Sequence, residues 1–297
     1  MLKGISGITI IKNAKKLGYP LYYSVKSIIN ACDEFVISEG YSEDDTMDII
    51  KKLQHEYPDK IRVFQDEWTK SKKGETIAKI TNHAIRQCKH EWIYCIQADE
   101  IIHEDNLDFL RNIPYRYKKY HAVSFQFTHF RPTLQYEMLG AYTRAIRMFR
   151  NYSTPSRLNF RMRWQNTSVG KYLKSKLPVD PLMFFEDIYS DTDGFTFAGN
   201  VFPVLRPTFL HPIAHVGYVS NDKQVIYQKL LSHAENLYPD LQMYKQMSQS
   251  ASTLTNPQAS GVMWEEQGYK ISKYQNTNYP KLLVQWAKEE GIEYNRE

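Results

Sequence analysis

The first hundred residues alternate between two hydrophobic periodicities, and this alternation constrains the fold more than any other feature of the chain. Short runs typical of strands occur at residues 7–11, 35–37, 61–64 and 92–96. Between them, apolar residues recur at helical spacing, as at Val25, Ile28, Ile29 and Cys32. The resulting βαβαβαβ order predicts an α/β fold with a parallel, doubly wound sheet.

The fourth apolar run ends abruptly in two adjacent carboxylates, Asp99 and Glu100. In open α/β sheets, ligands bind beyond the carboxyl ends of the strands. Asp99 is therefore a candidate to hold a divalent metal or a ribose hydroxyl, both of which prefer carboxylate oxygen. The alternative is that the two acids only cap a helix beginning near Glu104, and this stretch alone does not separate the two interpretations.

Length and composition predict a globular protein. The chain has 297 residues, 42% of them apolar and 14% aromatic, which suits one large domain with or without an extension. No apolar run reaches the roughly 18 residues of a membrane span, and the N-terminus lacks the layout of a signal peptide, so we expect a cytoplasmic protein. Cys32, Cys88 and Cys95 have no C-x-x-C spacing, which predicts buried reduced thiols.

Beyond Leu110 the pattern changes from helical to strand-like. Residues 122–127 alternate apolar and polar side chains, and we expect residues 111–219 to form mixed strands and loops covering the ligand edge of the sheet. Two amphipathic helices are predicted near Tyr227–Ala234 and Tyr279–Trp286. The polar residues 246–261 between them are typical of a surface loop.

Positive charge is concentrated in one segment. The formal net charge is only +5, but residues 138–179 contain no Asp or Glu. The basic residues of this acid-free segment are Arg144, Arg147, Arg150, Arg157, Arg161, Arg163, Lys171, Lys174 and Lys176. Such a surface suits an anionic partner, either a diphosphate, an acidic glycan, a lipid phosphate or a nucleic acid. The alternative is a solvated surface whose charges pair with acids elsewhere.

Motifs at three strand ends resemble those of the family 2 glycosyltransferases, which have the GT-A fold and include many bacterial and phage-encoded sugar transferases. The first strand leads to a loop containing Asn13. The second ends in residues 39–46, Glu-Gly-Tyr-Ser-Glu-Asp-Asp-Thr, and the fourth in residues 97–100, Gln-Ala-Asp-Glu. These stretches are similar to the family patterns D-x-G-S-T-D-G-T and D-x-D-E. Residues 144–150 and 211–218 resemble later landmarks of the family.

The resemblance implies inverting transfer of a sugar from a nucleotide-diphosphate sugar to an acceptor hydroxyl. The acceptor is left open between a glycan, a lipid-linked molecule and a nucleic acid. We expect a nucleotide-sugar-binding half at residues 1–110, an acceptor half of the same domain at residues 111–219, and a C-terminal helical extension at residues 220–297.

The resemblance also assigns roles to individual residues. Asp99 matches the acid that binds a divalent metal, Mn²⁺ or Mg²⁺, and His215 is a candidate second ligand. Glu39 takes the place of the acid that contacts the nucleotide base. The other donor-binding candidates are Asn13, Gln97 and, as exposed cations, Lys72, Lys73 and Arg147. Asp187 and Asp193 are candidates for the base that accepts the acceptor proton, with a turn-forming role as the alternative for each.

Gln97 departs from the family pattern, which has an acid at this position. A neutral amide can hydrogen-bond a ribose hydroxyl but brings no charge to a cation. We therefore expect a weakly held metal that binds cooperatively with the donor. The departure keeps open a second class of function, a non-catalytic nucleotide-sugar-binding or nucleic-acid-binding protein that kept the fold.

Overall fold

The structure is a computed structural model that describes residues 2–68, 75–120, 122–141, 143–151, 204–205, 207, 211–232 and 269–295. The first part of the chain alternates strands and helices in the predicted order. These elements are β1 (Leu2–Ile11), α1 (Leu21–Ile28), β2 (Glu34–Glu39), α2 (Thr46–Glu56), β3 (Ile61–Gln65), α3 (Glu75–Arg86) and β4 (His90–Cys95). The predicted α/β alternation is therefore confirmed.

The four strands form the parallel half of a nine-stranded sheet. Their spatial order is β3-β2-β1-β4, with β1 paired in parallel to both β2 and β4. Parallel strands in this order require right-handed crossovers, which the helices supply. The carboxyl ends of β1, β2 and β4 consequently meet at one edge of the sheet.

The second part of the chain extends the same sheet. Its elements are β5 (Glu100–Ile101), α4 (Leu107–Arg116), β6 (Ala122–His129), β7 (Tyr136–Leu139), β8 (Arg144–Arg150), β9 (Val204–Leu205), β10 (Ile213–His215), α5 (Lys223–Ser232), β11 (Lys270–Lys273) and α6 (Lys281–Glu289). The sheet continues as β4-β8-β6-β10-β5, with β9 beside β6. Among its described strands, β8 and β5 alone run against the common direction. The fold is thus α/β with a large, mostly parallel sheet and C-terminal helices.

This arrangement differs in one respect from the expectation for residues 111–219. We expected strands that cover the ligand edge, but β6, β8 and β10 join the sheet itself, because β6 and β8 are largely buried and need hydrogen-bonding neighbours on both sides. The boundary predicted at residue 110 falls inside α4, and the C-terminal part contributes a strand, β11, that pairs with β7. The domain limits themselves stay predictions.

Apolar side chains cover both faces of the sheet. Ile5 of β1 packs with Val25 of α1 on one face, and Ile8 packs with Ala84 of α3 and Ile93 of β4 on the other. Strand β1 is therefore covered by apolar side chains on both of its faces.

The three cysteines are buried and free, as predicted. Burial raises the pKa of the Cys88 and Cys95 thiols to about 12, which keeps them protonated. Among the described residues, no helix is both long enough and apolar enough to cross a membrane.

The alternative that Asp99 and Glu100 cap a helix is wrong. Glu100 begins strand β5, and the helical turn at residues 104–106 is capped by His103, whose Nδ1 accepts from the Asp105 N–H at 3.3 Å. Glu100 therefore belongs to the sheet, and Asp99 lies in the turn that directly precedes it.

Candidate functional site

Asp99 and His215 meet where the predicted ligand edge adjoins β10. Asp99 Oδ2 lies 3.5 Å from His215 Nε2, and both side chains keep 13–15% of their surface exposed. Strand β10 pairs antiparallel with β5, which sets His215 opposite Glu100, and the Val216 N–H extends the ladder to the Asp99 carbonyl at 2.9 Å. The pairing of two short strands thus brings together residues that are distant in sequence.

His215 is held as a neutral imidazole. Burial lowers its pKa well below the usual value, and the nearby His129, Arg131 and Lys229 lower it further. His129 lies on the neighbouring strand β6, with its Nδ1 3.1 Å from His215 Nδ1. One of these two nitrogens must donate and the other accept. If His215 Nδ1 carries the proton, its Nε2 presents a lone pair towards Asp99.

Gly217 keeps the space at this pair open. A Cβ at position 217 would lie 2.7 Å from Asp99 Oδ2 and 3.3 Å from His215 Nε2. A carboxylate oxygen and a neutral imidazole nitrogen with free space beside both are suitable ligands for Mn²⁺ or Mg²⁺. The residues present therefore fit the divalent metal that the resemblance implies, and Asp99 and His215 stay the candidate ligands.

Glu100, Gln97 and Arg147 form a buried polar cluster behind Asp99. The Arg147 Nε lies 2.9 Å from both carboxylate oxygens of Glu100, and its Nη2 donates to Glu100 Oε1 at 2.5 Å and to Gln97 Oε1 at 3.1 Å. Both charged side chains are 0% exposed. The expectation that Arg147 is an exposed cation is therefore wrong, because β8 is buried on both faces and turns it towards Glu100. Contact between Arg147 and the diphosphate of the donor stays a prediction.

Asn13 and Glu39 hold together the loops that follow β1 and β2. Asn13 has a φ of 55°, receives the Glu43 N–H on its side-chain oxygen and donates its own N–H to Ser42 Oγ. Glu39 is fully buried and accepts from the N–H groups of Tyr41 and Ser42 and from Gln65. Burial opposes ionisation of Glu39, but these hydrogen bonds outweigh it and lower its pKa. Both residues lie at the ligand edge, and direct contact with a nucleotide stays a prediction.

Four predicted site residues lie outside the described part of the chain. Lys72 and Lys73 fall in residues 69–74, and Asp187 and Asp193 fall in residues 152–203. Their roles as diphosphate contacts and as catalytic base remain expectations from the sequence.

The sequence model of the family described as glycosyl transferase family 2 matches residues 7–170, which is more than half of the chain. The chain belongs to this family. The match includes the strand ends that carry Asn13, Glu39 and Asp99, so these candidates lie inside the family region, whereas His215 lies beyond it. No curated protein matches the sequence.

Solved structures similar to this family 2 chain include three transferases. The mannosyltransferase PcManGT of Pyrobaculum calidifontis, in complex with GDP-Man and Mn²⁺, is 18% identical with a TM-score of 0.33, covering 42% of this chain and 36% of that chain. TarS of S. aureus is 14% identical with a TM-score of 0.42, covering 88% and 45%. Glucosyl-3-phosphoglycerate synthase of Mycobacterium tuberculosis, in complex with Mn²⁺, UDP and glucosyl-3-phosphoglycerate, is 16% identical with a TM-score of 0.32, covering 43% and 45%. The chain therefore spans less than half of each of them.

This family 2 chain has a second group of ligand-type side chains that was not predicted from the sequence. His103, Asp105 and His211 offer ligand atoms within 4.8 Å of one another, at the end of the β5–β10 ladder opposite to Asp99. The two imidazole rings stack with centroids 3.7 Å apart and planes at 19°. Lone pairs in stacked rings do not converge on one point, so at least one ring must rotate before this candidate cluster binds an ion. The spacing of His103 and His211 along the sequence gave no signal, because their proximity depends on strand pairing.

Proposed function

We propose that the chain is an inverting glycosyltransferase that moves a sugar from a nucleotide-diphosphate sugar to an acceptor hydroxyl. One observation carries the proposal: Asp99 and a neutral His215 face each other across 3.5 Å at the ligand edge of a family 2 domain, with Gly217 keeping the adjoining space open. A divalent ion bound there supplies positive charge to the two phosphates of the departing nucleoside diphosphate.

Each described residue of the site has its own role in donor binding. Asp99 and His215 would hold the cation, and His129 fixes the orientation of the His215 ring through the 3.1 Å contact of their Nδ1 atoms. Asn13 and Glu39 hold the two loops beside the donor in one arrangement. Such preorganisation lowers the barrier because little of the site must move as charge develops on the leaving group.

The transfer step needs a base for the acceptor hydroxyl. We assign it to Asp187 or Asp193, whose carboxylate accepts the hydroxyl proton while that oxygen attacks the anomeric carbon from the side opposite to the leaving diphosphate. Inversion at that carbon follows from a single displacement. Arg147 and Arg150 of the acid-free segment pair with Glu100 and Glu91 and do not contribute to a positive surface. Its other basic residues favour an anionic acceptor, either a glycan, a lipid phosphate or a nucleic acid. The cytoplasmic location stays part of the proposal.

Donor hydrolysis tests the proposal without knowledge of the acceptor. A working transferase releases nucleoside diphosphate slowly when water replaces the acceptor, so wild type should release it from at least one nucleotide sugar with Mn²⁺ present. Asp99→Asn should lower this rate by roughly two orders of magnitude, because it removes a charge that acts on the leaving group. Asp48→Asn, at an exposed acid on α2, is the matched control and should leave the rate unchanged.

Two results would count against the proposal. If the Asp99→Asn variant released nucleoside diphosphate as fast as wild type, Asp99 would not be part of the site. Nucleotide-sugar binding without release from any donor would instead favour the non-catalytic binding protein. Thermal unfolding of each variant checks that the fold is intact, and the anomeric configuration of the product checks inversion.

A further inference from the structure

Tyr41 is a large, exposed aromatic side chain at the ligand edge of the sheet. It lies two positions beyond Glu39, the last residue of β2, and keeps 55% of its surface exposed. Its φ of 53° is in the left-handed region, which is unfavourable for a bulky side chain. Residues in such conformations cluster at binding sites, where the surrounding structure holds them in place.

The turn that carries Tyr41 is held by contacts from three directions. The Tyr41 N–H donates to Glu39 Oε2 at 3.0 Å, and the Gly40 N–H donates to the carbonyl of Ile11 at the end of β1 at 2.8 Å. A Cβ at Gly40 would lie 2.9 Å from Trp68 Cε3, so the Trp68 ring packs directly against the turn. The backbone of Tyr41 is therefore fixed before a ligand arrives.

The carboxylate of Glu39 is occupied in holding this turn. It is fully buried, and besides the Tyr41 N–H it accepts the Ser42 N–H at 2.6 Å and the Gln65 amide at 3.1 Å. A nucleobase could reach this carboxylate only if the turn moved. The same turn exposes the Tyr41 ring at the ligand edge instead.

The position of Tyr41 suits the base of a nucleoside diphosphate. Strand β1 lies between β2 and β4, so the carboxyl ends of β2 and β4 are two strand spacings apart, roughly 10 Å. A nucleoside diphosphate whose phosphates lie near Asp99, beyond β4, is long enough to place its base at the end of β2. An aromatic ring there can stack on any base, because every base has a π-face.

We propose that Tyr41 binds the nucleobase of the donor by stacking its ring on the base, and that Glu39 acts as a positioning residue for the turn. The inference rests on the proposed function, because it takes the ligand edge as the donor site. It departs from the resemblance, which gives contact with the base to Glu39. The loss of the Tyr41 ring should accordingly weaken the binding of different nucleotides by similar factors.

Calorimetric titration of UDP, GDP and inorganic pyrophosphate into the full chain, with MnCl₂ present, tests this role. Tyr41→Gly removes the ring and suits a φ of 53°, so its melting temperature should stay at or above that of wild type. UDP and GDP should each bind roughly 10–100-fold more weakly to this variant, whereas pyrophosphate, which has no base, should bind as it does to wild type.

Three further variants separate the ring from the backbone. Tyr41→Asn tolerates the same backbone conformation without a ring and should repeat the loss, while Tyr41→Phe keeps the ring and should keep the affinity for UDP. Tyr115→Ala is the matched control, since Tyr115 is 51% exposed and its ring centroid lies 4.3 Å from Nζ of Lys3, near the start of β1 at the opposite edge of the sheet. This variant should bind all three probes as wild type does.

Equal UDP affinity in wild type and the Tyr41→Asn variant would overturn the role of the ring. Equal weakening of pyrophosphate would overturn it as well, because the change would then act on the phosphates and not on the base. If wild type bound neither UDP nor GDP, the inference would also be wrong. Failure of the proposed function is distinct, because it appears as nucleotide binding without release of nucleoside diphosphate from any nucleotide sugar.

Discussion

The buried Glu100–Arg147 pair should be required for stability, and Arg147→Met is the direct test. Both side chains are 0% exposed, and the substitution leaves the Glu100 carboxylate with the Gln97 N–H at 3.2 Å as its remaining hydrogen bond among those described. Removing one partner of a buried ion pair costs about 3–5 kcal/mol of unfolding free energy. At roughly 2–4 °C per kcal/mol for a chain of this size, the melting temperature should fall by about 10 °C.

Denaturant titration of a double-mutant cycle measures this effect. Glu100→Gln combined with Arg147→Met removes both charges, so the double variant should be more stable than the sum of the single losses predicts, by at least about 2 kcal/mol. Lys51→Met is the control for a surface pair, since the Lys51–Asp48 contact is 67–74% exposed and should be worth about 1 kcal/mol or less.

The same variants distinguish a structural from a ligand-binding role of Arg147. If Arg147→Met lowered the unfolding free energy by less than about 1 kcal/mol but abolished UDP binding, our reading of the pair as a structural support would be refuted. Arg147 would then be the diphosphate contact that the sequence suggested.

Three further changes test the site itself. Gly217→Ala should weaken manganese binding in the presence of UDP by roughly 10–100-fold in calorimetry, because its Cβ would lie 2.7 Å from Asp99 Oδ2, while the melting temperature stays near wild type. Gln97→Glu keeps the acceptor for Arg147 Nη2 and adds a charge, so donor-free manganese binding should tighten; an unchanged affinity would contradict the weak-site argument. Glu39 has a lowered pKa, so it stabilises the fold above its unfolded pKa of about 4.3 and loses this contribution as the pH falls through the folded value. Acid titration of Glu39→Gln should therefore show a smaller loss of stability between about pH 6 and pH 3 than wild type shows.

Local periodicity was sufficient to predict the parallel half of the fold. The strands and helices of the first hundred residues depend on side chains a few positions apart, and each appears within a few residues of its expected limits. The strands β5 and β11 were missed because they have two and four residues and pair with partners far along the chain. Strands this short leave almost no periodic signal.

The side-chain contacts of the site could not be predicted from periodicity, because they join residues that lie far apart in sequence. Arg147 was expected at the surface because it is charged. Its partner Glu100 lies 47 positions away in sequence, and the two side chains meet only because β8 pairs within the sheet. The buried face of α5 was predicted only in part. Leu230 belongs to the predicted apolar face with Tyr227, Leu231 and Ala234, but the buried residues Ile226 and Lys229 do not.

The ladder between β5 and β10 has a consequence for the kinetics of ligand capture. It consists of two residue pairs and the single bond from Val216 to the Asp99 carbonyl. Ladders this short at the end of a sheet can open without global unfolding. Because Asp99 and His215 lie on opposite sides of the ladder, a molecule in which β5 has separated from β10 presents half a site, while β10 stays paired with β6. The observed affinity is then lowered in proportion to the fraction of molecules that keep the ladder closed. Substitutions in β5 or β10 that touch no ligand but open the ladder would thus weaken binding, and bound donor would slow amide exchange at Val216.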